Sequence, residues 1–198
     1  MTRAYCEQCG YPQTACVCGA VAAIFPRSQL WILQHPSEVD HAKNSLRLLQ
    51  LAVPDARVIV GETEADFAAL RAELTGDSLP TFLLYPSDES LPLPATVASE
   101  TVRLILLDGT WRKTLKMFRL NPWLQALPQR HLPLAAPTAY RIRKASRSDS
   151  LSTLEAAAVA LSQLEPGLDV TPMHDLLAEL VEQRLRRMPP KVRERYSR

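Results

Sequence analysis

The chain has 198 residues, 46% of them apolar, and a formal net charge of +2. That length supports one substantial core plus a small appendage, and no apolar run is long enough to cross a bilayer, which excludes a helical membrane protein. The stretch Met1-Thr2-Arg3-Ala4-Tyr5-Cys6 lacks the apolar core of a secretion signal, so a cytoplasmic location with no membrane partner is the default expectation.

All four cysteines lie within the first eighteen residues, as Cys6-x-x-Cys9 and Cys16-x-Cys18. Four thiolates supplied by two tight turns complete a tetrahedral site, which suits a structural zinc ion. The alternative, a disulfide, is weaker, because a bridge across Cys16-Val17-Cys18 would be strained and a cytosolic chain keeps its thiols reduced. Residues 1–25 therefore read as a four-cysteine zinc knuckle and residues 26–198 as the main domain.

Residues 30–35 read as a strand stopped by Pro36, after which Ser37 or Asp40 caps a helix over 42–51 with Leu46, Leu49 and Val53 on one face. A second strand covers 57–61. Thr63-Glu64-Ala65-Asp66 has the form of a capping box and opens a helix through Phe67, Leu70 and Leu74 to Gly76. Residues 81–85 form a third strand closed by Pro86, and 87–96 an irregular loop. The fourth strand, 101–107, ends in four aliphatic side chains and then stops on Asp108-Gly109-Thr110-Trp111. Such a run suits a strand covered on both faces, as in a parallel sheet, where ligands bind at the carboxyl ends. Gly109 permits a tight turn, and Thr110 caps a helix over 111–120 that Pro122 terminates.

His131-Leu132-Pro133-Leu134 is a fifth strand candidate, weakened by its proline. The long connection 135–151 carries the cluster Arg141-x-Arg143-Lys144. Ser152-Thr153-Leu154-Glu155 is a capping box for a helix ending near Pro166-Gly167. A last helix starts at Thr171-Pro172, with Leu176, Leu177, Leu180, Val181 and Leu185 on its apolar stripe, and ends at Pro189-Pro190. Strands alternating with helices make the chain α/β, with a mainly parallel sheet flanked by helices.

Charge is distributed unevenly. Residues 61–100 hold eight acids against one base, whereas 109–148 hold nine bases (Arg112, Lys113, Lys116, Arg119, Arg130, Arg141, Arg143, Lys144, Arg147) and no acid. A basic belt of this kind attracts a polyanion such as nucleic acid, although it can also do no more than solubilise. The dinucleotide, P-loop and Gly-x-Ser-x-Gly fingerprints are absent. The chemistry-bearing residues at strand ends are His35, Tyr85, Asp108, Thr110 and Trp111. Each has an ordinary structural alternative as a loop, rim, turn, cap or packing residue.

Cys6-x-x-Cys9…Cys16-x-Cys18, Gln34-His35-Pro36-x-Glu38, Leu84-Tyr85-Pro86, Leu107-Asp108-Gly109-Thr110-Trp111 and Leu151-Ser152-Thr153-Leu154-Glu155-Ala156, in that order, resemble the DTW-domain proteins. The resemblance implies a SPOUT-like α/β fold with a C-terminal trefoil knot, and the activity of the bacterial members, which are tRNA-uridine aminocarboxypropyltransferases. These move the 3-amino-3-carboxypropyl group of S-adenosylmethionine to N3 of a uridine and release methylthioadenosine.

The resemblance implies a donor pocket of Leu84, Tyr85, Pro86, Asp108, Gly109, Thr110, Trp111, Pro133, Leu134, Ser152, Thr153 and Glu155. Asp108 then either takes the N3 proton or orients the donor's ammonium group. His35, Asn44, Arg112, Lys113, Lys116, Arg141, Arg143, Lys144 and Arg147 are the candidates for holding tRNA. A methyltransferase of the same fold and a non-catalytic RNA-binding module are the alternatives, and the chain is open between monomer and homodimer.

Overall fold

Six strands, β1 (Gln29–Gln34), β2 (Arg57–Val60), β3 (Thr81–Leu84), β4 (Leu91–Pro92), β5 (Arg103–Asp108) and β6 (Gln129–His131), form one sheet in the order β2-β1-β5-β3-β6-β4. Every pairing is parallel. The computed structural model describes residues 4–39, 44–95, 101–133 and 151–194. The helices are α1 (Leu46–Ala52), α2 (Ala68–Gly76), α3 (Trp111–Leu120), α4 (Pro122–Gln125), α5 (Thr153–Leu164), α6 (Thr171–Arg186) and α7 (Pro190–Arg193).

The aliphatic runs are buried because both faces of the sheet are covered. Successive side chains of a strand point to opposite faces. Leu30 and Ile32 of β1 and Leu104 and Leu106 of β5 accordingly pack with α1, α5 and α6. Trp31, Leu33 and Ile105 pack on the other face with Phe67, Leu70, Met117 and Leu124 of the α2, α3 and α4 layer. β5 lies inside the sheet, in register with β1 from Gln29↔Arg103 to Gln34↔Asp108 and with β3 up to Leu84↔Leu106. The carboxyl ends of these strands therefore open on one edge.

The structure shifts several expected boundaries. The helix expected from residue 42 begins at Leu46, and Ser37 instead lies in a 3-10 turn, Pro36–Glu38, capped by the His35 ring; Asp40 lies outside the described residues. Of the expected Thr63-to-Asp66 box, the bond from Thr63 N to the Asp66 carboxylate forms, but no helix starts at that point. The Asp66 carboxylate accepts from the backbone N–H of Glu62 (3.0 Å) and Thr63 (2.8 Å), closing a turn, and α2 starts only at Ala68. The expected loop 87–96 contains β4, whose Pro92 is tolerated at the sheet edge. The strand expected over 131–134 is β6, Gln129–His131, which stops before Pro133, a residue with no N–H to give a ladder; Leu134 lies outside the described residues. Thr110 occupies the N-cap position of α3, but its side chain makes no cap bond.

At the far end of α5, Glu165 is 5% exposed and accepts from the backbone N–H of Arg27 (3.0 Å) and Ser28 (2.7 Å), tying the helix to the entry of β1. Burial works against its charge, but these N–H groups prevail and hold its carboxyl below the usual range. A lowered folded pKa contributes stability that is present above the unfolded value and lost as pH falls through the folded one. Glu165→Gln should therefore lower Tm at neutral pH and narrow its gap to wild type on acidification, as read by thermal melts from neutral to acid pH. A gap that stays constant across that range would contradict the assignment.

Candidate active site

At the carboxyl ends of β3, β5 and β6 lies a cavity of about 690 Å³, with the first turn of α5 beside it. It is lined from four parts of the chain: Leu84, Tyr85 and Pro86 with Ser87 and Ser90; Leu107, Gly109 and Trp111; Arg130 to Pro133; and Leu151, Ser152 and Thr153. Each part sits where a strand ends or a helix begins, the location at which open parallel sheets bind ligands.

The junction after β5 is held by hydrogen bonds. Asp108 is 7% exposed, and its Oδ2 accepts from Gln34 Nε2 at 2.9 Å, Gln34 being its register partner on β1. Its Oδ1 accepts from Thr153 Oγ1 at 2.5 Å. One carboxylate thus fastens β1, β5 and the amino end of α5. Asp108 lies behind the cavity wall, whose lining includes its neighbours Leu107 and Gly109. A Cβ at Gly109 would meet Lys113 Cβ at 3.2 Å and His35 Cβ at 3.6 Å, so glycine permits the close approach of α3 and the β1 end. Trp111, the first residue of α3, lines the cavity while 46% exposed.

Tyr85 is buried, and its ring stacks on Phe118 with centroids 4.5 Å apart; burial pushes its phenol above the ordinary value. The capping box forms as its sequence requires. Ser152 Oγ accepts from Glu155 N (3.3 Å) and Glu155 Oε2 accepts from Ser152 N (2.8 Å). Glu155 is only 3% exposed, and its carboxylate serves the box.

Of the residues expected around the donor, Leu84, Tyr85, Pro86, Gly109, Trp111, Pro133, Ser152 and Thr153 line the cavity; Asp108, Thr110 and Glu155 do not, and Leu134 lies outside the described residues. Arg130, His131, Ser87 and Ser90 line it without having been singled out for the site. Ser90 Oγ lies 3.0 Å from His131 Nδ1, and Ser87 Oγ donates to Gln129 Oε1 at 2.5 Å. The two-residue strand β4 helps bring these groups together, and no periodicity marks so short a strand.

The candidate tRNA-binding residues are less uniformly basic in space than in sequence. His35 Nε2 lies 2.9 Å from Glu62 Oε1, and its Nδ1 accepts from Ser37 N at 3.2 Å. Lys116 pairs with the same Glu62 oxygen at 2.9 Å, and Lys113 with Glu38 at 2.6 Å. Lys116 first, then His35, hold the Glu62 carboxyl below its usual range. Asn44 donates to Glu38 O (2.8 Å) and accepts from Leu46 N (2.7 Å), which makes it a brace for α1. Arg112 is exposed on α3, while Arg141, Arg143, Lys144 and Arg147 lie outside the described residues.

The four cysteine sulfurs lie within 4.8 Å of one another. Cys6 and Cys18 are 3.7 Å apart, Cys9 and Cys16 3.8 Å, and Cys6 and Cys16 3.6 Å. A tetrahedron with metal–sulfur bonds of about 2.3 Å has sulfur–sulfur edges of about 3.8 Å, whereas a disulfide needs about 2.05 Å. All four are free thiols, and their clustering could hold one metal ion. Backbone N–H groups of Cys9 and Gln8 hold the Cys6 thiol down to about 6, while burial pushes Cys18 up to about 12. A divalent cation compensates for sulfurs that resist ionising side by side.

No helix among the described residues is long and apolar enough to cross a membrane. The chain matches the DTW domain over residues 3–185. It is 35% identical over 186 residues to tRNA-uridine aminocarboxypropyltransferase 2 of Drosophila melanogaster, covering 86% of this chain and 72% of that one. The proteins of the same name from Macaca fascicularis and Mus musculus are 30% and 31% identical over 170 residues, covering 82% of this chain and 57% of each of theirs. No solved structure matches.

Proposed function

The chain belongs to the DTW-domain family, and from that premise we propose that it transfers the 3-amino-3-carboxypropyl group of S-adenosylmethionine to N3 of a tRNA uridine. The observation that carries this reading is the convergence of the 84–86, 109–111 and 151–153 motifs on one cavity at the carboxyl edge of a parallel sheet. Its volume of about 690 Å³ lies within the range of small-molecule sites, and its largely apolar walls suit a sulfonium donor.

When bound, the donor would supply an electrophilic carbon to uridine N3, with the electron pair of the broken carbon–sulfur bond kept on sulfur as methylthioadenosine and the N3 proton passing to solvent. The protein's residues arrange this encounter. Tyr85, fixed on Phe118, and Pro86 hold one wall, Gly109 allows the backbone turn to approach, and Trp111 offers a ring at the rim for an adenine or a uridine. Asp108 holds the floor together from behind, as its two hydrogen bonds to Gln34 and Thr153 support. Among the expected tRNA contacts, Arg112 on α3 and the 141–147 cluster are retained, with His35, Lys113 and Lys116 as paired residues at the same edge.

The same reading includes a SPOUT-like arrangement with a C-terminal trefoil knot and a structural zinc ion held by Cys6, Cys9, Cys16 and Cys18. It also includes division into a knuckle (1–25) and a transferase domain (26–198), and a cytoplasmic location, in keeping with four free thiols. Incubation with unmodified tRNA and S-adenosylmethionine is expected to release methylthioadenosine and leave an aminocarboxypropyl uridine, read by mass spectrometry of nucleosides. Release of S-adenosylhomocysteine would make the protein a methyltransferase, and tRNA binding with neither product would make it an RNA-binding module.

A further inference from the structure

Arg130 is the residue of the cavity that its structural surroundings do not account for. It lines the cavity from β6, in register with Leu84 of β3, which is in turn opposite Leu106 of β5, so the three side chains form a row across one face of the sheet. Its guanidinium lies over the Phe82 ring, 5.0 Å from the centroid. The cation–π contact fixes where the group sits but meets none of its hydrogen-bonding needs. Nη1 makes one long bond of 3.5 Å to the carbonyl of Gln129, and Nε is enclosed from solvent with no hydrogen-bond partner among the described residues.

The other arginines near the sheet are treated differently. Arg57 pairs with Glu73, and Arg103, stacked on Trp31, pairs with Asp77. Among the described residues Arg130 has no carboxylate partner, and the described lining of the cavity contains no Asp or Glu. An enclosed charged donor left unbonded is costly, and the cost is relieved when a ligand supplies the acceptor.

Resting on the function proposed above, we infer that Arg130 binds the α-carboxylate of the donor's aminocarboxypropyl arm and thereby selects which carbon on sulfur is transferred. The donor has one anionic group, and the described cavity wall has one permanent cation. A guanidinium receives a carboxylate through two parallel N–H bonds, which fixes direction as well as affinity. The amino end of α5, at Ser152 and Thr153, also lines the cavity and adds partial positive charge to its wall. Three carbons on sulfur are chemically open to attack. Anchoring the arm at its far end holds the sulfur–CH2 bond of that arm at a fixed angle, while the methyl group has no comparable handle.

Calorimetric titration of the whole protein with three nucleosides tests this. S-adenosylmethionine carries the carboxylate, decarboxylated S-adenosylmethionine lacks only that group, and methylthioadenosine lacks the arm. Wild type should bind the first about 10- to 100-fold more tightly than the second, the range for a hydrogen-bonded charge pair. Arg130→Gln should bring that ratio near one while leaving methylthioadenosine affinity unchanged, and Arg130→Lys should restore part of it. A wild-type ratio of one overturns the inference whatever the variants do, so it does not depend on their folding. A ratio kept by Arg130→Gln with weakened tRNA binding overturns it too, and reassigns the guanidinium to an RNA phosphate. If wild type binds none of the three nucleosides, the donor reading itself fails and the inference falls with it; if methylthioadenosine binds but the carboxylate makes no difference, only the inference falls.

Discussion

Asp108→Ala is expected to reduce aminocarboxypropyl transfer by about 10²- to 10³-fold, within the span for loss of a group that organises or assists proton transfer, while tRNA affinity stays unchanged. The carboxylate is buried, and its two oxygens accept from Gln34 Nε2 and Thr153 Oγ1. Truncation frees the amino end of α5 from the end of β5 and leaves the buried Gln34 amide and the half-buried Thr153 hydroxyl in search of partners, which also costs about 1–3 kcal/mol of stability. Thr153 and Gly109, on either side of this bond, both line the cavity, so loss of the tie distorts its floor directly.

The conservative variant separates a positioning role from that of a base. In Asp108→Asn the side-chain oxygen still accepts from Thr153, and the new amide donates to Gln34 once the Gln34 amide turns over. As a positioning residue, Asp108 is therefore replaceable: Asp108→Asn should keep transfer within about tenfold of wild type, with an unshifted pH–rate profile. An Asn variant as inactive as the Ala variant, with the acid limb of the profile gone, would instead make Asp108 the group that takes the N3 proton. Rates are compared well below each variant's own Tm, so that unfolding does not mimic loss of chemistry.

The architecture around Asp108 was legible because it rests on strong local signals. The uninterrupted apolar runs of β1 and β5 need cover on both faces, and the Ser152-to-Glu155 box forms with both of its reciprocal bonds. What escaped notice was either ambiguous locally or set by distant partners. Asp66 has the spacing of a cap, yet it closes a turn back onto Glu62 and Thr63, since the same carboxylate geometry serves either purpose. β4 is too short for any period, and β6 is made of Gln129, Arg130 and His131, polar residues that no strand pattern selects. Its neighbours supply the pairing that its sequence does not advertise.

Charge shows the same limit. The stretch 109–148 is free of acids along the chain, but Glu38 from the turn after β1 and Glu62 from the loop after β2 come to meet Lys113 and Lys116. Linear charge counts therefore overstate the positive surface of α3. The same counts gave Arg130 no distinction from the other bases of the belt. Only the enclosure of its Nε beside an acid-free wall sets it apart.

Zinc removal, or Cys9→Ser with Cys18→Ser, should lower Tm by about 10 °C or more, on the order of a 3–5 kcal/mol loss in a domain of this size. The knuckle is not a loose tag on the rest of the chain. Cys9, Tyr11 and Val17 are each 5% exposed or less and belong to the same apolar cluster as α1, α5 and α6. Gln183 Nε2 of α6 donates to Cys16 O at 2.8 Å, and Arg47 of α1 donates to Gly10 O at 2.9 Å and lies over the Tyr11 ring. Gly10 has φ of +67°, a conformation that glycine adopts readily and that turns the chain after Cys9.

Losing the proposed zinc ion would release this packing from its amino end, exposing the flank of α6 and α1. No described residue of the knuckle lines the cavity, so transfer measured at low temperature should keep its kcat and its KM for S-adenosylmethionine even as the melt shifts down. Elemental analysis of wild type should give about one zinc per chain and the double variant almost none. A wild type that takes up less than half an equivalent, or a double variant that melts with wild type, would remove the metal from the account of this fold. A double variant that loses transfer well below its melt would instead tie the knuckle to tRNA or to the reaction itself.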